Sequence, residues 1–498
     1  MAVPTRGQIE ATITLPTYQL QYWNGSAWVD IADADVGDLQ GLVNVGGGPS
    51  GFDFGANASP RGTVKIDASS TNQAISWERL KIRIQYGFST SDMLTRWMGI
   101  VTDDSRGTDD LTITWGCAGF DLLISETECY SDLLYRRPPA TKTTASSIED
   151  PTSGSYAGGL INYICWQSGG RPYEQSATYP TATFYYSLDN AIITPEWAWI
   201  GGENAWQEID TLCRAVGGQM YQDTNGTMVY KNPLVGTSSG YTFDESVYSS
   251  LAQKASVLQK TALARCTYQA RRLQPEQEIY ADTTPRLILG SGNISLVLDM
   301  QRPVYDYAVS ASGGSGLPNS SFTAVDLFGI AVVYPDVLVS FTSRSASRVT
   351  IQASNTLTQP IVLSNLTIRG RPIAVTEDGQ ASYGSGTPAR EIGNGSIYIQ
   401  NRVHAERLCR LYVDVYGTQR PERAVTCMYD PDRTLGEIVT LSCTSLTISG
   451  SHRITAIDVH NGETMSVTLI EITGLLTTAD LFMIDTSYSS GDTRQLSW

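Results

Sequence analysis

A chain of 498 residues is long enough for roughly three or four domains of ~100 to 200 residues each, so it can bury several cores. Hydrophobic residues at 41% and charged residues at 17% exclude disorder as the dominant state, and 45 Gly, 26 Tyr and 10 Trp with abundant Ser and Thr favour strands and turns over long helices. The formal net charge of −16 excludes a conventional nucleic-acid-binding surface, which needs clustered Lys and Arg; it leaves room for a conduit that nucleic acid slides through, and plain solubility requires the same balance.

Taken in chain order, Ile9, Ala11, Ile13 and Leu15 alternate as a strand, and Asn24-Gly25 supplies the pair a type I′ hairpin needs before Ala27 to Ile31 returns. A Gly-rich loop follows at Gly46 to Gly55. Val64 and Ile66 resume a strand, and three period-2 runs come next: Leu80, Ile82, Ile84 and Tyr86; Trp97, Met98, Gly99, Ile100 and Val101; Leu111, Ile113 and Trp115. The run Trp115 to Phe120 marks the exit from this meander. In the irregular stretch beyond it, Leu160, Ile161, Ile164 and Cys165 predict one short helix ending at Gly169-Gly170.

A clearer helix starts at Asn204, whose side chain caps the first turn with Gln207 reaching back. Trp206, Ile209, Leu212, Cys213 and Val216 form its apolar stripe, and Gly217 is a natural terminator. Trp206 and Cys213 are expected to be buried against the hairpin formed by Gln219 to Gln222 and Thr227 to Lys231. From Ala262 to Gln269 a strand opens the second half, followed by a β-rich stretch from about 300 to 390 and a second helix, Asn401 to Tyr416, burying Ala405, Leu408, Cys409, Tyr412 and Val415.

A second meander follows: Leu435, Gly436, Ile438, Val439 and Leu441; Arg453, Ile454, Ala456, Ile457 and Val459; Met465, Val467, Leu469 and Ile472. The steps agree, with 18 residues from Ile82 to Ile100 and 18 from Ile438 to Ala456. Any β-rich chain contains meanders, but this pattern reads as two copies of one barrel-like domain. The strand Ala262 to Gln269 would share the second barrel, making residues 300 to 390 an insertion within it.

Three groups of residues carry a resemblance. They are Pro195-Glu196-Trp197 through Trp206-Gln207-Glu208-Ile209 to Gly217-Gly218; the Asn401 helix followed by Arg420-Pro421, Asp430-Pro431 and Leu435-Gly436-Glu437-Ile438-Val439; and Leu481 to Ser487 at the end. In this order they resemble phage tail hub proteins, whose "W-x-x-I-x-x-L-x-x-x-x-G-G" helix precedes a hairpin and whose later elements include a Pro-Arg segment and an "L-G-D-x-V" strand. Glu437 stands where that family usually has Asp, and residues 300 to 390 match no hub element. The motif positions are then Trp97, Gly99, Trp115, Trp197, Trp206, Gly217, Arg420, Pro421, Gly436 and Glu437.

The resemblance implies a mainly β fold with a few short helices, containing two tail-tube-like antiparallel β-barrel domains. Residues 1–125 would be the first barrel, 126–194 an irregular connector, 195–235 a helix-plus-hairpin unit, 236–299 with 391–475 the second barrel, 300–390 an inserted β-rich domain and 476–498 a C-terminal tail. It also implies a non-enzymatic virion protein, assembled in the host bacterial cytoplasm: a homotrimer whose six barrels match a sixfold tail tube to a threefold tip. Its partners would be the tail tube or distal tail protein above, a central tip or fibre protein below, and the tape-measure protein and viral DNA in transit. Lumen-facing strands are expected to carry few Lys or Arg, because each phosphate contact would add friction.

Competing chemistry is thinly represented. His404, His452 and His460 show no metal-ligand spacing and read as surface or helix-flank residues, so neither metal nor cofactor is expected. Gly236 to Gly240 fits G-x-S-x-G, but Pro233 precedes it and a strand-like run follows, which reads as a Ser/Gly linker. Ser312 to Gly316 lacks the Lys of a phosphate loop, and Asp430 with Asp432 reads as a turn. A tail-associated glycoside hydrolase or depolymerase would need two carboxylates converging in a cleft. A carbohydrate-binding adhesin would use Trp197/Trp199 or Tyr185/Tyr186, aromatics that are more often core. Eight cysteines without C-x-x-C read as buried thiols in a reducing compartment. Met1 to Glu10 has no apolar core and Pro335-Asp336 break the longest apolar run, so neither a signal peptide nor membrane insertion is expected.

Overall fold

Four strands recur in the same order near the two ends of the chain. The computed structural model describes residues 17–31, 34–35, 55–56, 61–87, 93–106, 112–130, 135–136, 160–161, 164–165, 186–188, 193, 195–199, 201–223, 226–231, 238–254, 261–309, 316–392, 396–417, 421–430, 432–460 and 464–472, and within them the protein is mainly β with curled, half-barrel sheets. The expected strand Ile9 to Leu15 and the closing Leu481 to Ser487 lie outside the described residues.

The first unit comprises Arg61–Asp67, Lys81–Gly87, Leu94–Arg106 and Thr112–Ala118; the second comprises Glu422–Met428, Ile438–Cys443, Ile448–His460 and Thr464–Glu471. In each, the last three strands form an antiparallel meander and the first strand adds beside the last. Alternation accounts for the strands: Ile82, Ile84 and Tyr86 point to one side of the pleat, as do Val439, Leu441 and Cys443, and these sides are buried.

The register matches around the long third strand, although only the first unit has a further shift between Ile84 and Gln85. Val64 lies opposite Trp115 in the first unit, and Val425 lies opposite Val467 in the second. The third strand is 13 residues long in both, pairing with one neighbour over its first half and the other over its second. Just past that changeover the ladder skips one residue in each copy, Thr102 in the first and Thr455 in the second. A one-residue bulge bends a strand and sharpens its twist, which curls both sheets at the same point.

This register corrects the equal spacing of 18 residues. Lys81 faces Ile100 and Ile438 faces Arg453, so Ile100 corresponds to Arg453 and not to Ala456. The connection from Cys443 to Ile448 is shorter than that from Gly87 to Leu94, and the matching count was a coincidence of loop lengths.

Both sheets are extended by earlier strands. Ser238–Phe243 joins one edge of the second unit and Tyr248–Lys254 the other, making six strands. A flat six-stranded sheet would hold its outer strands about 24 Å apart, whereas the four residues between these two strands bridge less than about 18 Å; the edges are drawn together. The first unit is flanked by Thr17–Trp23 and Ala34–Asp35. The flanks differ, since Thr17–Trp23 runs antiparallel to its neighbour while Ser238–Phe243 runs parallel to its own.

The Asn24-Gly25 turn is a four-residue loop and not a two-residue type I′ turn, because Trp23 pairs with Trp28. Asn24 Oδ1 accepts from the backbone N–H groups of Ser26 and Ala27, both at 2.9 Å, so the side chain satisfies donors that a tighter turn would leave to the ladder.

The helix Ala205–Val216 is capped by Asn204, which accepts from Trp206 and Gln207 N–H, and it ends at Gly217 with φ +74°. It packs against the helix Arg402–Tyr416, capped by Asn401, in one core holding Ile209, Leu212 and Cys213 with Leu408 and Leu411. Leu160, Ile161, Ile164 and Cys165 are helical and enter the same core; Gly169-Gly170 lies outside the described residues. Trp206 is only half-buried, a correction to the expected stripe: it sits in the first turn, at the margin of the core.

The strand expected to open the second barrel does not belong to it. Leu263–Leu273 pairs along its whole length with Leu366–Gly384, and on its other side with Ala389–Ile392. It forms the root of a β-ribbon arm, beyond which Ile288, Val339, Ile351, Ile361, Leu363 and Ile368 build a separate core. The inserted part therefore begins before residue 300, and the second sheet is assembled from residues 238–254 and 422–471. Alternation in residues 263–269 signals a buried face but not a partner, and the 19-residue strand Leu366–Gly384 provides the longer ladder.

Candidate functional site

The outward faces of the two curled sheets are repeated by the fold, although on the first unit Met98 and Ile100, opposite Arg83 and Lys81, are buried in the core that holds both helices. On the second, hydroxyl side chains face each other across strands: Thr426 opposite Ser466, Thr440 opposite Ser451 and Ser442 opposite Ser449, with Ala424 opposite Thr468. Asp458, opposite Ser466, adds a carboxylate. The corresponding face of the first unit differs, carrying the exposed Lys65 and Asp103 with half-buried Lys81 and Arg83. Arg83 is partly withdrawn, hydrogen-bonded to Gln21 and set over the Trp28 ring at 4.6 Å.

Beneath these faces lie the aromatic motif positions. Trp97 and Trp115 are fully buried, and Trp115 packs against Trp77 with ring centroids 4.6 Å apart and planes inclined at 45°. The Trp97 indole folds back over Gly99, where a Cβ would sit 2.2 Å from the Ala118 carbonyl oxygen and 2.8 Å from the ring. Only glycine fits that crossing. Trp197 and Trp199 are likewise buried, and Gln400 pairs with Trp197 as a strand would, accepting from its N–H and donating to its carbonyl, both at 2.7 Å. Gln222 does the same between sheet and helix, accepting from Phe120 N–H at 2.6 Å and donating to the Met98 carbonyl at 2.8 Å.

At the entrance to the second unit, Gly436 adopts φ +78°, a conformation that favours glycine. Its neighbour Glu437 is only 6% exposed and accepts from Arg433 and from Thr434 N–H at 3.0 Å. Arg433 also meets Asp430 at 3.1 Å and lies 3.8 Å over the Tyr241 ring. The clip ties the turn to the edge strand Ser238–Phe243. Tyr221 Oη, donating to the Leu435 carbonyl at 3.2 Å, ties it to the helix-plus-hairpin unit. Asp430 and Asp432 form the expected turn, with Asp432 N–H donating to Asp430 at 3.0 Å. Pro421 is half-buried just before the first strand of the unit, and Arg420 lies outside the described residues.

His404 and His452 are buried, a correction to their expected surface position. His404 Nε2 donates to the Ala215 carbonyl at 2.7 Å, bolting the second helix to the first, while its Nδ1 has no partner. An imidazole satisfied through one nitrogen is tolerated inside when neutral. Burial accordingly pushes the His404 pKa down from 6.5 to about 4, with a smaller push from Arg407, against the raising effect of the Ala215 carbonyl. His452, packed against Arg423 and Glu471 with Nδ1 2.9 Å from the Gly450 carbonyl, is lowered chiefly by burial.

Because the unfolded chain binds these protons at higher pH than the folded one, stability is full above about pH 6.5 and falls as the pH drops towards 4. For His404 alone the loss is about 3 kcal/mol by the lower limit. Urea midpoints measured from pH 7.5 to 4.5 should fall, and His404→Gln should flatten the slope while leaving the His452 share. An unchanged slope in the variant would refute the assignment.

Among the described residues no group of three or more His, Cys, Asp or Glu side chains is arranged to hold a metal. Burial pushes the thiols of Cys117 and Cys213 up, which leaves them protonated and unreactive. Ser238 to Gly240 open a strand, with no helix after it, so the nucleophile-elbow geometry is not present there. Gly316 bridges Ser340, while the rest of the Ser312 loop lies outside the described residues.

The structure is similar to the prophage MuSo2 43 kDa tail protein from Shewanella oneidensis, at 8% identity and a TM-score of 0.44, covering 91% of this chain and 98% of that one. It is similar also to the tail protein from Neisseria meningitidis MC58 (8%, 0.45, 93% and 99%) and to prophage tail protein gp18 from Listeria monocytogenes EGD-e (9%, 0.40, 94% and 97%). No protein-family model matches the sequence, and no curated protein matches it.

Proposed function

We propose that this chain is a structural hub of a phage tail, acting mechanically and without catalysis. Three copies would form a ring in which each contributes two curled sheets, so that six equivalent elements meet a sixfold tail tube on one side and a threefold tip on the other. The observation that carries this reading is the four-strand unit repeated with the same strand order, register around the long third strand and bulge position at Thr102 and Thr455. A doubled domain converts threefold into pseudo-sixfold symmetry, and closed rings are built from repeated heterologous contacts.

Within the ring, the hydroxyl-rich face of the second unit is suited to a channel wall. Thr440, Ser451, Thr426 and Ser466 offer no cation to hold phosphate, whereas the equivalent face of the first unit carries Lys65, Lys81 and Arg83, so the second unit would supply the stretches of wall past which a polyanion slides without the counterion release that makes binding strong. The domains would be residues 1–125, the connector 126–194 and the unit 195–235, with the second hub domain drawn from residues 238–254 and 422–471 and the arm between them. A tail tube or distal tail protein would sit above and a central tip or fibre protein below, with tape-measure protein and DNA in transit.

Electron microscopy and mass photometry of the purified chain test the proposal. A trimeric ring with an axial hole and six similar lobes is expected. A protein that stays monomeric at high concentration, or a particle without a hole, would overturn it.

A further inference from the structure

Beyond the root of the β-ribbon arm, one hairpin carries its apolar residues on the outside. The strand Thr323–Asp326 turns through Leu327, Phe328 and Gly329 and returns, with Val325 bridging Ala331 and Val332 N–H donating to the Ala324 carbonyl at 2.8 Å. Solvent-exposed turns usually take Gly, Asn, Asp or Ser; this one presents Leu327 at 63% and Phe328 at 84% exposure. The turn is held in shape. Asp326 is buried, and its carboxylate accepts from Phe328 N–H at 2.9 Å and Ile330 N–H at 2.8 Å, while Gly329 supplies φ +81°.

The sheet behind the turn is apolar on both faces. Ile288, Ile361, Leu363 and Ala324 face the core of the insertion. On the opposite face Leu287, Val362 and Val325 form a row in direct register across three strands, with Leu287 exposed. Ile330, Val333 and Tyr334 extend the exposed surface on the returning side. Together these side chains present on the order of 600 Å² of apolar surface, the upper end of what monomers leave open and most of the roughly 800 Å² per partner that a stable interface takes.

We infer that this hairpin knob docks onto a neighbouring copy of the same chain and locks the ring. The inference rests on the trimeric hub reading, which places a copy on either side. The ribbon Leu263–Leu273 paired with Leu366–Gly384 runs for eleven residues, about 35 Å of strand, and its far end at Leu273 and Ile373 shares a small core with Trp197 and Trp199; the knob lies in the insertion beyond that point. A lipid surface fits poorly. No Lys or Arg occurs between Arg302 and Arg344, and Asp336 stands exposed beside Tyr334, which an anionic bilayer would repel.

The test uses the full chain, with and without Leu327→Asp and Phe328→Asp together, both at exposed turn positions. Mass photometry of the wild type should give trimers, and the variant, with an unchanged circular dichroism spectrum, should dissociate at concentrations about 100-fold higher or more. A trimeric wild type with an equally trimeric variant overturns the knob but leaves the hub. A monomeric wild type removes both. If the variant does not fold, a photo-crosslinker in place of Phe328 in an otherwise unchanged chain decides: an adduct joining two copies is expected, and adducts only within one chain refute the inference. Co-sedimentation with phosphatidylglycerol vesicles that depends on Phe328 would also overturn it.

Discussion

Replacing Trp115 with alanine is expected to cost about 3 to 5 kcal/mol, a large share of the 5 to 15 kcal/mol typical of a folded domain. Trp115 is fully buried in the first unit, packed against Trp77 and directly opposite Val64. Truncation removes most of an indole from a core that cannot collapse around the gap, because Trp97 is already folded against Gly99 and the strands are fixed by their ladder. Equilibrium unfolding in urea, followed by tryptophan fluorescence, should shift to lower denaturant, with both sheets losing structure together, because Trp115 shares one core with Val425, Leu441 and Val467 of the second sheet. Assembly should fail only where that transition has begun. A loss below about 1.5 kcal/mol would mean that the sheet repacks, and that the aromatic core is not what holds its curl.

Removing the Arg433 guanidinium is expected to have a comparable effect by a different route. Arg433→Met leaves Glu437 buried without its cation and strips Asp430 of its partner, at a cost of about 3 to 5 kcal/mol. The methionine retains much of the contact with Tyr241, so the loss reports charge more than packing. Adding Glu437→Met should recover at least half of it, since replacing both partners of a buried ion pair with apolar side chains is often neutral. The coupling energy from the cycle is the measurement. If the double variant is as unstable as the sum of the two single ones, the pair is not interacting as the geometry has it, and Asp430 alone holds the arginine.

How far each feature was legible depends on the range of the interactions that set it. Helix ends were readable because their determinants lie within a few residues: Asn204 and Asn401 cap their own first turns, and Gly217 takes the left-handed conformation at its own helix end. Buried faces were readable because alternation is a local signal, and the buried sides of Ile82 to Tyr86 and Val439 to Cys443 follow it. The equal step of 18 residues showed the limit of counting, since loop length and register vary independently and only the ladder reveals Thr102 and Thr455 as equivalents.

The candidate site was legible in its glycines and tryptophans and not in its ties. Gln222 reaches Phe120 and Met98, Gln400 reaches Trp197, and His404 reaches Ala215; a side chain that satisfies backbone groups a hundred or more residues away leaves no trace in the residues beside it. Arg433 was visible only as part of a turn, because its ring contact with Tyr241 comes from a strand far back in the chain.

By itself, then, the sequence determined the β class of this protein, its helix ends and the existence of a doubled meander, all consequences of periodicity and short-range sterics. The tertiary structure alone decided that Leu263–Leu273 pairs with Leu366–Gly384, that the edge strand of the second sheet runs parallel, and that two histidines are interior. A strand's pattern specifies which face is buried, but its neighbour is chosen by whichever distant segment offers the longest compatible ladder, and that competition is settled only when the whole chain is packed.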